Sequence, residues 1–181
     1  RKFIENLGGK HVRYMKGYKN VIDKALELNK NGTDCQLAIE TSGHGALKEN
    51  YMLDDGAYMA MKVVIELARR GAGTSISELF STLEEPRDEV EIRLKVVGNN
   101  CKREHVFDQV LQSFQEAAKR VPEWKVDEPN YEGLRVSTFH SEKESGWILL
   151  RMSLHDPIII FNVETEIENG VSIAARKILA E

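Results

Sequence analysis

Glu40-Thr41-Ser42-Gly43-His44 places a carboxylate, a hydroxyl and an imidazole within five consecutive residues. A carboxylate accepts two O–H bonds, and a serine hydroxyl donates or accepts another, so the set suits the vicinal hydroxyls of a sugar. The imidazole of His44 could shuttle a proton or donate to a phosphate. Gly43 and Gly45 let the backbone turn and come close to a ligand. The same residues admit a plainer role, in which Glu40 and Ser42 tie the loop together and His44 is a solvated surface histidine. Asp54 and Asp55 form a carboxylate pair of the kind that binds Mg²⁺, but acidic residues ahead of a helix also cap it and complement its dipole, and that reading is preferred. His11, His105 and His140 are scattered among polar neighbours and are assigned no site.

The elements that must position this loop follow from spacing. Val21, Ile22, Ala25, Leu26 and Leu28 recur at helical intervals over Gly17 to Asn29, and Asn31-Gly32 stops the helix. Asn31-Gly32-Thr33 also fits a glycosylation acceptor, although a turn is the preferred reading. Leu37-Ala38-Ile39 reads as a short buried strand, and Glu40 to Asn50 as the loop that follows it. Loops at the carboxyl ends of strands are where α/β sheets bind ligands. Asp54 or Asp55 then caps a helix reaching about Arg70, with Gly71 as its stop and Ala57, Met61, Val64, Ile65 and Ala68 as a core-facing stripe. Ser75 and Glu78 predict a capping box opening a short helix over Ile76 to Leu83.

The polar run Glu84-Glu85-Pro86-Arg87-Asp88 predicts a domain boundary, giving domains 1–85 and 86–181. The second half reads differently. Val90 to Val97 alternates as a strand, and Val106 to Val121 is an amphipathic helix. Strands over about Gly133 to Phe139, Trp147 to Met152 and Ile158 to Glu164 follow, then a helix from about Asn169 to Ala180. The order β-α-β-β-β-α predicts an α+β domain, an antiparallel sheet with two helices on one face. The fold class is thus α/β for the first part plus α+β for the second.

Composition bounds the function. The 181 residues are 41% hydrophobic and 30% charged, with a formal net charge of −4. This suits a globular chain and lacks the basic excess of a nucleic-acid binder. The longest apolar run, Ile158 to Phe161, falls far short of the ~20 residues of a membrane span. Cys35 and Cys101 form no CxxC pair, which suits a reducing cytosol. The chain opens on Arg1, and the expectation is a fragment whose start lies upstream; the cytoplasm is the expected location, with a plastid as the alternative.

The ordered set Glu40-Thr41-Ser42-Gly43-His44, Lys48-Glu49 and Asp54-Asp55-Gly56-Ala57-Tyr58 resembles the α-D-phosphohexomutase superfamily, which includes phosphomannomutases, phosphoglucomutases and phosphoglucosamine mutases. The third domain of that family carries a sugar-binding loop G-E-x-S-G-H, then a lysine, then D-D-G at a helix start. Gly17-Tyr18-Lys19 resembles its G-[FYW]-K element. Gly146-Trp147-Ile148-Leu149-Leu150-Arg151-Met152-Ser153, with Pro157, resembles the fourth domain's phosphate element, R-x-S-G-T-E-P. The resemblance runs from about Arg13 to the end.

It implies the C-terminal portion of an α/β sugar-binding third domain over 1–85 and the fourth domain over 86–181. Glu40, Ser42 and Gly43 would contact sugar hydroxyls, with Lys48 and Lys19 as cations near the cleft and Arg13 and Lys16 adding charge. His44 would assist proton transfer. Arg151, Ser153 and His155 would hold the non-reacting phosphate. The implied parent is an isomerase that interconverts hexose 1-phosphate and hexose 6-phosphate through a phosphoserine and Mg²⁺. Its S-H-N-P and D-x-D-x-D-R motifs do not occur here, so phosphoserine and metal would belong to upstream domains, and this segment alone would not catalyse. Hexose phosphates, a hexose bisphosphate and those upstream domains are the implied partners, with no nucleic acid and no membrane. The alternative is a non-catalytic sugar-phosphate-binding or regulatory relative. Four positions depart from the family pattern: Ile39 for glycine, Met15 for a lysine, and Leu154 and His155 for a small residue and threonine. They point to a divergent branch.

Overall fold

The computed structural model of the chain describes residues 1–97, 102–153 and 156–179. Two compact units form, Arg1–Leu83 and Glu84–Glu181.

In the first unit a short helix, α1 (Lys2–Asn6), precedes α2 (Tyr18–Lys30). Gly17 caps α2 at φ 106°, a backbone conformation that favours glycine. Asn20 Nδ2 donates to the Lys16 carbonyl at 2.6 Å and closes that turn. At the other end the Asn29 amide grips the chain twice. Its Nδ2 donates to the Cys35 carbonyl at 2.9 Å, and its Oδ1 accepts from the Cys35 N–H at 3.1 Å. This clip sets where β1 (Leu37–Ile39) begins.

β1 pairs antiparallel with β2 (Gly45–Leu47), with Ala38 opposite Ala46 and Ile39 opposite Gly45. The single loop expected over residues 40–50 is therefore a hairpin tip, a strand and a 3₁₀ turn at Lys48–Asn50. Three residues are too few for alternation to be read from sequence. Nor is β1 buried as a whole: Ala38 is, while Leu37 and Ile39 are exposed. The buried cluster is Ala25, Ala38, Ala46 and Met52, with Val21, Ile22 and Cys35 against it. Small side chains let α2 lie close on the hairpin.

Asp55 caps α3 (Gly56–Arg70), its Oδ1 accepting from the Tyr58 N–H at 2.9 Å. The apolar stripe of α3 departs from expectation. No residue of this helix is buried, and Met61 and Val64 are 57% and 58% exposed. Within its unit α3 packs mainly on the three-residue β2, which is too little surface to cover the stripe. The capping box of Ser75 and Glu78 is present, but it opens a 3₁₀ helix at Ile76–Phe80 that stops short of Leu83.

The second unit runs β3 (Asp88–Lys95), α4 (Arg103–Arg120), β4 (Trp124–Val126), β5 (Leu134–His140), β6 (Lys143–Met152), β7 (Ile158–Thr165) and α5 (Gly170–Leu179). Its sheet is antiparallel throughout, in the order β3-β7-β6-β5-β4. The sequence reading lacks β4, a three-residue edge strand whose pattern is again too short to see. The predicted end of α5 at Ala180 and the second cysteine, Cys101, lie outside the described residues. Val136 and Ile148 are fully buried at 0% exposure. With Leu134, Leu150 and Val163 they pack against Phe114 and Ala118 of α4 and Ala174 of α5, so both helices cover one face. Phe114 meets Phe161 edge-on, with centroids 5.5 Å apart. Asp88 Oδ2 accepts from the Val171 N–H at 3.0 Å and so satisfies an open donor in the first turn of α5. No helix among the described residues is long and apolar enough to cross a membrane.

Candidate functional site

The hairpin tip joining β1 to β2 is closed by its own backbone. Glu40 N–H donates to the His44 carbonyl and Gly43 N–H to the Glu40 carbonyl, both at 2.9 Å. Gly43 takes φ 92°, so a turn followed by a positive-φ glycine carries the chain back, an arrangement common in three-residue hairpin loops. Gly45 sits where the hairpin meets α3. A Cβ there would fall 2.3 Å from the Met59 sulfur.

Glu40 is held by the tip itself. Thr41 Oγ1 donates to Oε1 at 2.8 Å, Ser42 N–H donates to Oε2 at 3.0 Å, and the Ser42 hydroxyl donates to Oε2 as well. Partial burial pushes this carboxyl up, but the Ser42 and Thr41 bonds and the charge of Lys16 outweigh it, lowering it from 4.5 to about 2. Glu40 is thus an anion across the physiological range. Because its folded value is depressed, its contribution to loop order is fully present above its ordinary value and is lost as pH falls through the folded one. A ¹³C titration is expected to place the Glu40 midpoint at about 2, and the double variant Ser42→Ala, Thr41→Val to return it toward 4.5. A midpoint that stays low in the double variant would show that the hydroxyls do not hold the charge.

His44 stacks on Tyr18, with centroids 4.8 Å apart and planes inclined by 28°. Its Nδ1 lies 2.7 Å from Asp54 Oδ2, and Asp54 Oδ1 accepts from the Gly45 N–H at 3.1 Å. The two aspartates therefore have different partners. Asp55 caps α3, while Asp54, expected to share that capping role, holds His44. Sequence reasoning missed Asp54 and Tyr18 as neighbours of the imidazole. The D-D-G doublet was visible, but nothing in its spacing separates the two jobs.

The lysines divide. Lys19 is exposed in the first turn of α2, one residue beyond the Tyr18 that covers His44. Lys48 stands just past β2, at the opposite end of the hairpin from the tip, where its Nζ bonds Asp34 Oδ1 at 2.5 Å. That bond holds the Asp34 carboxyl below its ordinary value. Lys48 is therefore not brought to Glu40 by the fold of this unit. The Mg²⁺ implied by the resemblance does not fit here either. Among the described residues no three His, Cys, Asp or Glu side chains gather as a metal would need.

In the second unit Arg151 is the penultimate residue of β6, with its side chain largely buried. Its Nε lies 3.3 Å from Glu132 Oε1, an ion pair whose angle makes no hydrogen bond. Sequence reading missed Glu132, which lies nineteen positions earlier. The Arg151 Nη atoms have no hydrogen bond among the described residues, so the guanidinium fork can still take an anion. Ser153 shapes the turn into β7: its N–H donates to the Ile158 carbonyl at 3.0 Å, and its Oγ accepts from the Asp156 N–H at 3.2 Å. Leu154 and His155 lie outside the described residues.

Comparison with known proteins shows what this arrangement is similar to. Residues 1–86 match the family model described as phosphoglucomutase/phosphomannomutase, alpha/beta/alpha domain III. No curated protein sequence matches the chain. Among solved structures the chain is similar to a phosphoglucomutase/phosphomannomutase family protein from Burkholderia thailandensis, with a TM-score of 0.71 and 23% identity over 97% of this chain and 33% of that one. The chain thus spans a third of the length of that protein, and at this identity the likeness is one of fold. Residues 1–86 thus resemble domain III of the phosphoglucomutases and phosphomannomutases, and the chain shares its fold with a protein of that family.

Proposed function

We propose that this chain supplies the sugar-hydroxyl and phosphate contacts of a phosphohexomutase, an isomerase interconverting hexose 1-phosphate and hexose 6-phosphate. The observation that carries the reading is the hairpin tip, where Glu40, Ser42 and His44 stand together with the Glu40 carboxyl held ionised. Such a reaction needs the sugar in two orientations. Hydrogen bonds to hydroxyls common to both serve either one. Glu40 Oε1 takes one bond from the tip and keeps lone-pair capacity for a sugar hydroxyl. Arg151 would grip the non-reacting phosphate, which competes with Glu132 for the guanidinium. In this reading residues 1–85 are the latter part of domain three and residues 86–181 are domain four. The phosphoserine and Mg²⁺ reside in other domains of a longer protein.

The test is a mutase assay on the intact protein, with Mg²⁺ and a hexose bisphosphate activator, across glucose, mannose and glucosamine phosphates. Turnover of at least one is expected, and it names the substrate. Absence of turnover from folded, phosphorylated protein would reject the enzyme reading. It would favour a non-catalytic sugar-phosphate binder, with Leu154 and His155 the first positions to revert to the family pattern.

A further inference from the structure

We propose that Asp54 is a positioning residue that fixes the tautomer of His44. The inference rests on the proton-transfer role proposed for His44, and it follows from three contacts. Asp54 uses both carboxylate oxygens at once: Oδ1 accepts from the Gly45 N–H at 3.1 Å, and Oδ2 lies 2.7 Å from His44 Nδ1. A carboxylate has no proton to give, so in the neutral ring Nδ1 must carry the hydrogen. Nε2 then holds the lone pair, and it has no hydrogen bond among the described residues. Tyr18 covers one face of the ring at 4.8 Å, which together with the Asp54 bond limits its rotation.

The fold gives this contact a fixed origin. Asp54 forms an antiparallel bridge with Ala46, and Asp55 N–H donates to the Gly45 carbonyl at 3.1 Å. The carboxylate is therefore anchored to the hairpin that carries its target. Ala46 at the bridge is 1% exposed, so the anchor is also packed. When Nε2 accepts a proton from a substrate hydroxyl, the O–H bond breaks, an imidazolium forms, and Asp54 faces its positive charge. The proton returns to a sugar oxygen in the opposite half-reaction. A histidine oriented by a carboxylate at its other nitrogen serves general acid–base chemistry in this way.

Asp54→Asn gives a sharp test, because the Gly45 N–H still requires an acceptor. The substituted amide would satisfy it with its carbonyl oxygen and turn its NH₂ toward His44. Nδ1 would then have to accept, and the ring would switch to the Nε2–H form. Long-range ¹H–¹⁵N spectra of the intact protein, recorded at a pH where the ring is neutral, report the tautomer directly. The expected result is Nδ1–H in the native protein and Nε2–H in Asp54→Asn. In the mutase assay the variant is expected to lose roughly 10²-fold in kcat with KM within about twofold.

The same tautomer in both proteins would overturn the proposal, as would Nε2–H in the native protein. That second result needs no variant, so it decides the matter even where Asp54→Asn fails to fold. The spectra also separate this inference from the proposed function. A native protein with no turnover but the expected tautomer switch rejects the mutase reading and keeps Asp54 as the residue that orients His44.

Discussion

Glu40→Ala is expected to lower kcat/KM roughly 10- to 10²-fold for every hexose phosphate the intact protein accepts, while leaving the fold in place. The size follows from the charge. Hydrogen bonds to an ionised group contribute about 1.5–3 kcal/mol each, and every 1.36 kcal/mol is tenfold in rate. Losing the one such bond that Oε1 can still take therefore reaches the stated range. The breadth follows from geometry, since hydroxyls common to both substrate orientations are lost in both half-reactions. Among the described residues the Glu40 side chain hydrogen-bonds Thr41 and Ser42 of the tip, so its removal loosens the tip without opening a core. Steady-state kinetics with circular dichroism as the folding control would check it. A folded variant with native kinetics would remove Glu40 from the site.

Gly133→Ala is expected to unfold the second unit far more readily than any surface change. Gly133 sits at φ 59°, and a Cβ there would fall 1.9 Å from the Leu150 carbonyl oxygen and 2.9 Å from the Arg151 Cα. Neither atom can yield cheaply. Leu150 stands opposite Leu134 in the pairing of β5 with β6, and its side chain is 2% exposed in the core. Left-handed backbone already costs an alanine about 1–2 kcal/mol. Adding the displaced strand brings the loss to about 3 kcal/mol or more against a typical domain stability of about 5–15 kcal/mol. Thermal unfolding should show a Tm lowered by more than about 10 °C. A change of under ~2 °C would mean the strand shifts freely and the close approach carries no weight. Glu132 precedes this glycine, so the same variant would also disturb the partner of Arg151.

Much of this architecture was legible because long periods survive in sequence. The apolar face of α4, the alternation in β3 and the order of the larger strands all span enough residues to show a period. The tip motif was legible by residue type, since few stretches gather Glu, Ser, Gly and His so tightly. Short elements were not. β2 and β4 have three residues each, and a period of two needs more than that to declare itself. The open stripe of α3 was misread for a different reason. Amphipathic spacing says that a face seeks cover, but it does not say whether the unit contains any. The roles of Asp54 and Asp55 were invisible for a third reason. Which aspartate caps and which reaches His44 depends on the strand-like bridge to Ala46, a contact between segments eight positions apart.

That doublet has a mechanical consequence. One peptide bond joins the residue that grips the ring of His44 to the residue that seats the first turn of α3. Two further bonds, from Gly45 N–H to Asp54 and from Asp55 N–H to the Gly45 carbonyl, lock the tip and the helix start together without slack. The helix is a lever. Its fifteen residues extend about 22 Å at 1.5 Å per residue. A tilt of roughly 5° imposed at the tip would carry the Arg70 end through about 2 Å. A shift too small to notice at the imidazole is thus magnified at the far end of the rod.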